Sequence, residues 1–216
     1  MADAIQKTGK VGKGLYILNQ GMVCSYLFDA GGGFVAFDAG LSRAGIAREL
    51  GKLGIAGESV SHIFLTHSDR DHVGGMSAFP LARVLMARAE VAMLDRSQPR
   101  FLGFVYNRPL AHPYETIEDG QEIRVGSATV RCILTPGHTA GSMSFLVNGS
   151  ILIVGDELNI AAGKAVLDRS PISIDNAGRL DSIRRLAALE GVELLCPMHS
   201  GCTDNFADAM GAWRGT

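Results

Sequence analysis

Between positions 67 and 72 the chain concentrates side chains that bind metal ions. Four of these six residues are histidine or aspartate, namely His67, Asp69, Asp71 and His72. Imidazole and carboxylate groups are ligands of zinc, iron and manganese, and four of them cannot be packed in a dry core without partners. A solvated polar loop is the ordinary role of one such residue, but the whole H-x-D-x-D-H pattern arises in roughly 0.0006 of shuffled chains of this composition. The pattern therefore indicates a metal site.

Three further residues repeat the same context, a metal-binding side chain that follows an apolar segment. They are His138, Asp156 and His199. Alone, each is more typical of a surface histidine or of a turn. Together with the first cluster they give seven ligands from four strand ends, which is enough for two divalent metal ions with one shared carboxylate. Zinc is the expected metal, with iron or manganese as alternatives.

The ordered set of motifs resembles the metallo-β-lactamase superfamily over roughly residues 14–201. The set comprises H-x-[HD]-x-D-H, then G-H-T-x-G-S, then G-D, and finally a C-terminal histidine. The resemblance implies an α+β fold, a four-layer αββα sandwich with a binuclear metal site at one edge between the sheets. It also implies the ligand assignment. His67, Asp69 and His138 would hold one ion; Asp71, His72 and His199 would hold the other; Asp156 would bridge them.

Asp69 departs from the most familiar members of that superfamily. The hydrolases of the glyoxalase II type have histidine at this position. An aspartate is similar to a smaller subset that includes the lactamase-like domain of bacterial DNA-uptake channel proteins, and the flavodiiron oxygen reductases also have a carboxylate there. The extra negative charge and the harder ligand shift the metal preference from zinc towards iron or manganese.

The ligand set and the resemblance predict a metal-dependent hydrolase. A hydroxide that bridges the two ions would attack an ester, thioester, lactone or phosphoester. Asp71 is the predicted catalytic residue, since its second oxygen would face the bridging water and could move a proton. The sequence identifies no substrate-binding residue. Arg70 within the cluster could contact an anionic group, but pairing with a neighbouring carboxylate is its expected role.

Two alternatives from other functional classes stay open. The first is a di-iron protein that binds or reduces oxygen, which Asp69 permits, but 216 residues leave no room for the flavodoxin domain of the flavodiiron proteins. The second is a nuclease, as the DNA-uptake resemblance suggests. It ranks lower because the formal net charge is −2 and the basic residues are scattered.

Length and composition bound the organisation of the chain. A chain of 216 residues predicts a single domain over residues 1–216. Hydrophobic residues make up 47% and charged residues 19% of the chain, a composition that excludes disorder. Without a basic run, neither nucleic acid nor a membrane surface is an expected partner. A small-molecule substrate is expected, and two bound metal ions would favour an anionic one. The N-terminus lacks the apolar core of a signal peptide, so a cytoplasmic location is expected.

The predicted secondary structure positions these motifs at strand ends. Three strands open the chain as an antiparallel meander, and a helix capped by Ser42 continues to about Leu53. Helices are also predicted after Gly75, over residues 87–94, and from Asp175 or Asp181. The segment 97–117 carries aromatic residues among prolines and is either a pocket-lining loop or an anchored surface loop. The predicted strands cover residues 14–18, 22–28, 34–38, 63–65, 83–86, 122–125, 128–134, 143–147, 151–154 and 192–195.

Overall fold

The computed structural model describes residues 1–110, 112–167 and 172–215 and contains two sheets that pack face to face. The first has seven strands in chain order. They are β1 (Gly9–Gly12), β2 (Leu15–Asn19), β3 (Cys24–Asp29), β4 (Phe34–Phe37), β5 (Val60–Phe64), β6 (Arg83–Ala87) and β7 (Tyr114–Ile117). Strands β1 to β4 are antiparallel, and β4 to β7 are parallel. The chain therefore leaves β4, β5 and β6 at one common edge.

The second sheet has five strands and the same property. They are β8 (Glu122–Val125), β9 (Ala128–Leu134), β10 (Met143–Val147), β11 (Ile151–Gly155) and β14 (Leu194–Pro197), in the order β14-β11-β10-β9-β8. A separate hairpin consists of β12 (Asn159–Ala161) and β13 (Lys164–Val166). Strands β11 and β14 are parallel, and β10 is antiparallel to both β9 and β11. Thus β9, β11 and β14 all end at the same edge.

Helices cover the outer faces of both sheets, and one further helical turn, α2 (Arg70–Val73), lies within the histidine-aspartate motif. The others are α1 (Arg43–Leu53), α3 (Val91–Leu94), α4 (Asn176–Ala187) and α5 (Phe206–Ala209). The apolar side of α1 packs on the outside of the first sheet, and those of α4 and α5 pack on the outside of the second. Between the sheets lies a third apolar cluster that contains Phe37, Phe64 and Phe145. The predicted αββα sandwich is confirmed.

Most of the predicted helix and strand boundaries agree with the structure. Ser42 caps α1 by accepting a hydrogen bond from the backbone N–H of Gly45, and Asp175, rather than Asp181, caps α4. The helix predicted after Gly75 is wrong, because residues 76–78 form only a single 3-10 turn and the α-helical turn lies earlier, within the histidine-aspartate motif. Strands β1, β7, β12 and β13 have no counterpart in the prediction. Each strand that was predicted agrees with an observed strand to within three residues at both ends.

Two properties of the chain bear on its environment. The four cysteines are free thiols, and three of them are buried. None of the helices in the described part of the chain is long and apolar enough to cross a membrane.

Candidate metal centre

The structure brings all seven predicted ligands to the shared edge of the two sheets. Each follows the carboxyl end of a strand: four come after β5, and one each after β9, β11 and β14. Their nitrogen and oxygen atoms form three groups, each with its atoms within 4.8 Å of one another. The groups are His67 with Asp69 and His138, His67 with His72 and Asp156, and Asp71 with His72 and His199. Strand direction in both sheets thus explains why residues 132 positions apart in the chain meet.

Asp156 occupies the middle of this cluster. Its Oδ1 lies 3.3 Å from Nε2 of His72, and its Oδ2 lies 3.2 Å from Nε2 of His199 and 3.5 Å from Nε2 of His138. The carboxylate is therefore within reach of both predicted ion positions, as a bridging ligand would be. The left-handed backbone of Gly155 (φ 58°), where an added Cβ would meet Thr66 at 2.8 Å, gives the chain the tight exit from β11 that this position requires.

Asp38 and Thr66 fix the orientation of two histidines. The buried carboxylate of Asp38 accepts hydrogen bonds from the backbone N–H and the hydroxyl of Thr66, both at 2.7 Å, and lies 2.7 Å from Nδ1 of His72. The Thr66 hydroxyl donates its one hydrogen to Asp38, so it accepts the hydrogen bond from Nδ1 of His67, which lies 3.0 Å away. Since Nδ1 carries a proton in both rings, Nε2 is the nitrogen that faces the cluster.

The two other histidines present Nε2 in the same way. Nδ1 of His199 lies 2.7 Å from the carbonyl oxygen of Met22, which can only accept. Nδ1 of His138 lies 3.3 Å from the Ser173 hydroxyl. All four rings therefore offer the same nitrogen to the centre.

The ligand atoms around His72 have the spacing that one divalent ion requires. Nε2 of His67, Nε2 of His72 and Oδ1 of Asp156 are buried and make no hydrogen bond to any described residue. Nε2 of His199 and of His72 lie 3.4 and 3.6 Å from Oδ2 of Asp71. Two ligand atoms that each lie about 2.1 Å from one tetrahedral ion are themselves about 3.4 Å apart. Asp71, His72, Asp156 and His199 therefore have the spacing of a ligand set.

The group around Asp69 differs, because a guanidinium lies within it. Arg100, only 2% exposed, donates from Nε to Oδ1 and from Nη2 to Oδ2 of Asp69, both at 2.7 Å. Nη2 also donates to Nε2 of His138 at 3.0 Å. Arg100 belongs to the segment 97–117, which the sequence identified only by its aromatic residues. No periodicity or spacing marks it as part of the site.

Neighbouring charges in the cluster shift one another's pKa. Burial opposes ionisation of Asp156, but His72 and His199 hold the pKa of that carboxyl well below its usual range. Burial likewise opposes protonation of His199, yet its contacts with Asp156 and Asp71 raise its pKa to about 10. Burial lowers the pKa of His138 to about 4. A neutral His138 is consistent with the hydrogen bond that its Nε2 accepts from Arg100.

Two buried charged residues that the sequence analysis did not identify support the loops of the site. The Glu90 carboxylate accepts hydrogen bonds from the backbone N–H of Ser68 at 2.8 Å and of Gly141 at 3.2 Å, and thereby joins the first motif to the loop that follows His138. Arg179 on α4 donates to the carbonyl oxygen of Asp156 at 2.6 Å. Both contacts span distant parts of the chain.

Two cavities adjoin the centre. One of about 240 Å³ opens on the ligands and is bordered by Asn159 and Ile172. The other, about 530 Å³, is lined by Arg70, Tyr106 and Arg108, among others. Segment 97–117 therefore borders a cavity, although Phe104 is 71% exposed and position 111 lies outside the described residues.

Comparison with known proteins assigns the family. The family model of the metallo-beta-lactamase superfamily matches residues 18–199. The chain belongs to this superfamily. Among solved structures, the Rm3 metallo-β-lactamase superposes with a TM-score of 0.75 at 20% identity, over 98% of this chain and 90% of that chain.

Curated relatives match shorter regions. The chain is 31% identical over 156 residues to the uncharacterized protein YobT of Bacillus subtilis, covering 65% of this chain and 64% of YobT. It is 34% identical over 124 residues to a human hydroxyacylglutathione hydrolase-like protein, covering 55% and 38%. An atrochrysone carboxyl ACP thioesterase of Emericella nidulans is 28% identical over 125 residues, covering 57% and 36%. The chain thus spans less than two thirds of the length of each relative.

Proposed function

We propose that this protein is a metal-dependent hydrolase that cleaves an ester or a thioester. One observation carries the proposal: four histidines present Nε2 towards the central Asp156 carboxylate, and two of those nitrogens are buried without a hydrogen-bond partner among the described residues. Burying such groups unpaired costs about 1–3 kcal/mol each, and a bound divalent cation would offset that cost.

The names of two relatives support an acyl substrate. One is called a thioesterase and the other a hydroxyacylglutathione hydrolase-like protein. Lactones share the same electrophilic carbonyl carbon and belong to the same proposal. A small molecule suits the cavity of about 240 Å³ that opens on the ligands. We propose an anionic group on the substrate, because Arg70 and Arg108 line the adjoining cavity.

Asp71 is the proposed proton acceptor. A bound divalent ion would polarise the carbonyl of the substrate and make a water molecule more acidic. Burial opposes ionisation of Asp71, but His199 and His72 lower its pKa below the ordinary value, so the carboxylate is charged at neutral pH. With its side chain 36% exposed, Asp71 is more accessible than Asp156, which is 13% exposed. It can therefore accept the proton of the attacking water and pass it to the leaving group.

The two other functions considered from the sequence gain no support from the site. Asp69, the residue that suggested a di-iron centre, pairs with Arg100. The formal net charge of −2 gives a nuclease no support. The cytoplasmic location, the single domain and the lack of nucleic-acid and membrane partners stay predictions.

The experiment is a hydrolysis assay with protein that has been stripped of metal by a chelator and reloaded with Zn²⁺, Mn²⁺ or Fe²⁺. The substrates are a simple ester, an acyl thioester, a lactone and a phosphodiester. We expect reloading to restore cleavage of the acyl substrates, and His199→Ala to abolish both metal uptake and cleavage. Cleavage of the phosphodiester alone would contradict the proposal.

A further inference from the structure

The guanidinium of Arg100 is held in the centre by contacts on every side. Its Nε and Nη2 pair with the two oxygens of Asp69, and Nη1 donates to the carbonyl oxygen of Ile172 at 2.7 Å. Nη2 donates in addition to Nε2 of His138. This fork-shaped pairing, with both carboxylate oxygens engaged, is the strongest geometry available to an arginine. Arg100 is therefore a fixed part of the site.

These contacts engage two of the three side chains that a first metal ion would need, those of Asp69 and His138. Nε2 of a neutral histidine has a single lone pair, and in His138 that lone pair accepts a hydrogen bond from Nη2 of Arg100. Both oxygens of Asp69 also accept from Arg100, and Oδ1 accepts a further hydrogen bond from Asn107 at 3.1 Å. By contrast, Nε2 of His72 and Nε2 of His67 make no hydrogen bond to any described residue, and both belong to one group with Asp156. The two predicted ion positions are thus chemically different.

The pairing also accounts for the aspartate at position 69. A carboxylate accepts two parallel N–H donors from a guanidinium, while a neutral histidine offers one lone pair. Asp69 and Arg100 therefore act as a matched pair, and each would be a buried unpaired charge without the other.

We propose that Arg100 takes the place of the first metal ion, so that this protein binds a single divalent ion, held by Asp71, His72, Asp156 and His199, with Nε2 of His67, unpaired among the described residues, beside the same position. The two-ion centre expected from the sequence is replaced by one metal ion and one guanidinium. This inference rests on the proposed function only in requiring that the centre binds metal.

The test counts bound metal and does not depend on activity. The full chain is loaded with Mn²⁺, freed of loosely bound ions, and examined by elemental analysis and electron paramagnetic resonance. We expect about one equivalent in the natural protein, with the six-line spectrum of an isolated ion. Arg100→Ala and the double variant Asp69→His with Arg100→Ala are expected to take up about two, with the signature of a coupled pair.

A matched control removes a similar pairing at the surface. Arg83 forms the same two-point contact with Glu115, at 2.9 and 2.7 Å, but both side chains are more than half exposed. Arg83→Ala should therefore retain about one equivalent.

The outcomes separate the two proposals. Two equivalents or a coupled pair in the natural protein would overturn the single-ion inference and leave the hydrolase standing. No bound metal would overturn both. Arg100→Ala that folds, as judged by circular dichroism, and still binds one ion would also overturn the inference, because the guanidinium would then not be what excludes the second. The measurement on the natural protein decides the matter even where the variants do not fold.

Discussion

Asp38 orients the candidate ligand His72, although Asp38 is not itself in the predicted ligand set. It is fully buried, has a left-handed backbone (φ 58°) and lies 2.7 Å from Nδ1 of His72. A carboxylate behind a metal-binding histidine fixes the ring and makes it a better ligand, and removing such a partner typically weakens metal binding about 10- to 100-fold. A strained buried backbone is retained where the surrounding structure requires it.

Asp38→Asn, which exchanges one carboxylate oxygen for an amide nitrogen, tests this role. The amide keeps the size of the side chain but loses its charge, so we expect metal affinity to fall about 10- to 100-fold. Competition with a coloured chelator measures the change. Asp181→Asn is the control, since that side chain is 81% exposed on α4, and it should leave affinity unaltered. Equal affinity for Asp38→Asn and the natural protein would contradict the role assigned to Asp38.

Gly155 allows a second test, with a matched partner in Gly163. Both have positive φ, 58° and 73°, but an added Cβ meets Thr66 at 2.8 Å in the first and no described atom within 4 Å in the second. Gly163→Ala should lower the free energy of unfolding by about 1 kcal/mol through backbone strain alone. Gly155→Ala should lower it by about 1–3 kcal/mol more, through overpacking against Thr66. Urea denaturation compares the two, and equal losses would show that the contact with Thr66 is unimportant.

At the scale of elements, strand direction assembles the site. Strands β5, β9, β11 and β14 end at one edge, and the rule that polar side chains after apolar strands meet there was sufficient to predict all seven candidate ligands. The same rule would have found Asp38, which directly follows the apolar strand β4. It was missed because a single aspartate after a strand is also an ordinary turn residue.

Other parts of the site carry no local signal. Arg100 and Asn107 lie in a segment without periodicity, 31 and 38 residues away from the carboxylate that they contact. Glu90 lies 51 residues from Gly141, whose backbone it binds. Contacts of this kind depend on how loops pack, whereas hydrophobic periodicity reports only on strands and helices. The sequence could therefore supply the candidate ligands but not the groups that restrain them.

The link between α1 and the N-terminal segment provides a prediction at this scale. Glu49 is only 1% exposed, and its carboxylate accepts hydrogen bonds from Thr8 at 2.5 Å, Lys52 at 2.6 Å and Arg48 at 2.8 Å. Burial opposes ionisation, but these donors hold its pKa below the ordinary value. A lowered pKa stabilises the fold above the pKa of the unfolded chain, about 4.3, and this contribution disappears as the pH falls through the folded value.

Glu49→Gln should therefore lower the free energy of unfolding at pH 7 by about 1–2 kcal/mol. The difference from the natural protein should shrink as the pH falls below about 4, where both side chains are neutral. Denaturation in urea at a series of pH values measures it. Glu58→Gln, at an exposed position, is the control and should change stability by less than about 0.5 kcal/mol. A difference that grows towards acid pH would contradict the assignment.

At the scale of the whole molecule, the sandwich keeps the ligand atoms at fixed separations. The apolar cluster between the sheets joins β4 and β5 to β10 through tilted and T-shaped ring contacts, with ring centroids 5.4–5.6 Å apart. Loops from both sheets thus meet over a rigid core, which holds four histidines with Nε2 directed to one carboxylate. The architecture thus brings together residues that could hold a metal ion, and Asp69 pairs with Arg100 among them.

The most direct test of the account is the hydrolysis of an acyl thioester by metal-free protein during titration with Mn²⁺ or Zn²⁺. We predict no hydrolysis before metal is added, a linear increase with added metal, and a sharp plateau at about one equivalent per chain. Hydrolysis that is equally fast in the metal-free protein would contradict a metal-dependent enzyme. A plateau reached only at two equivalents would contradict the single-ion centre.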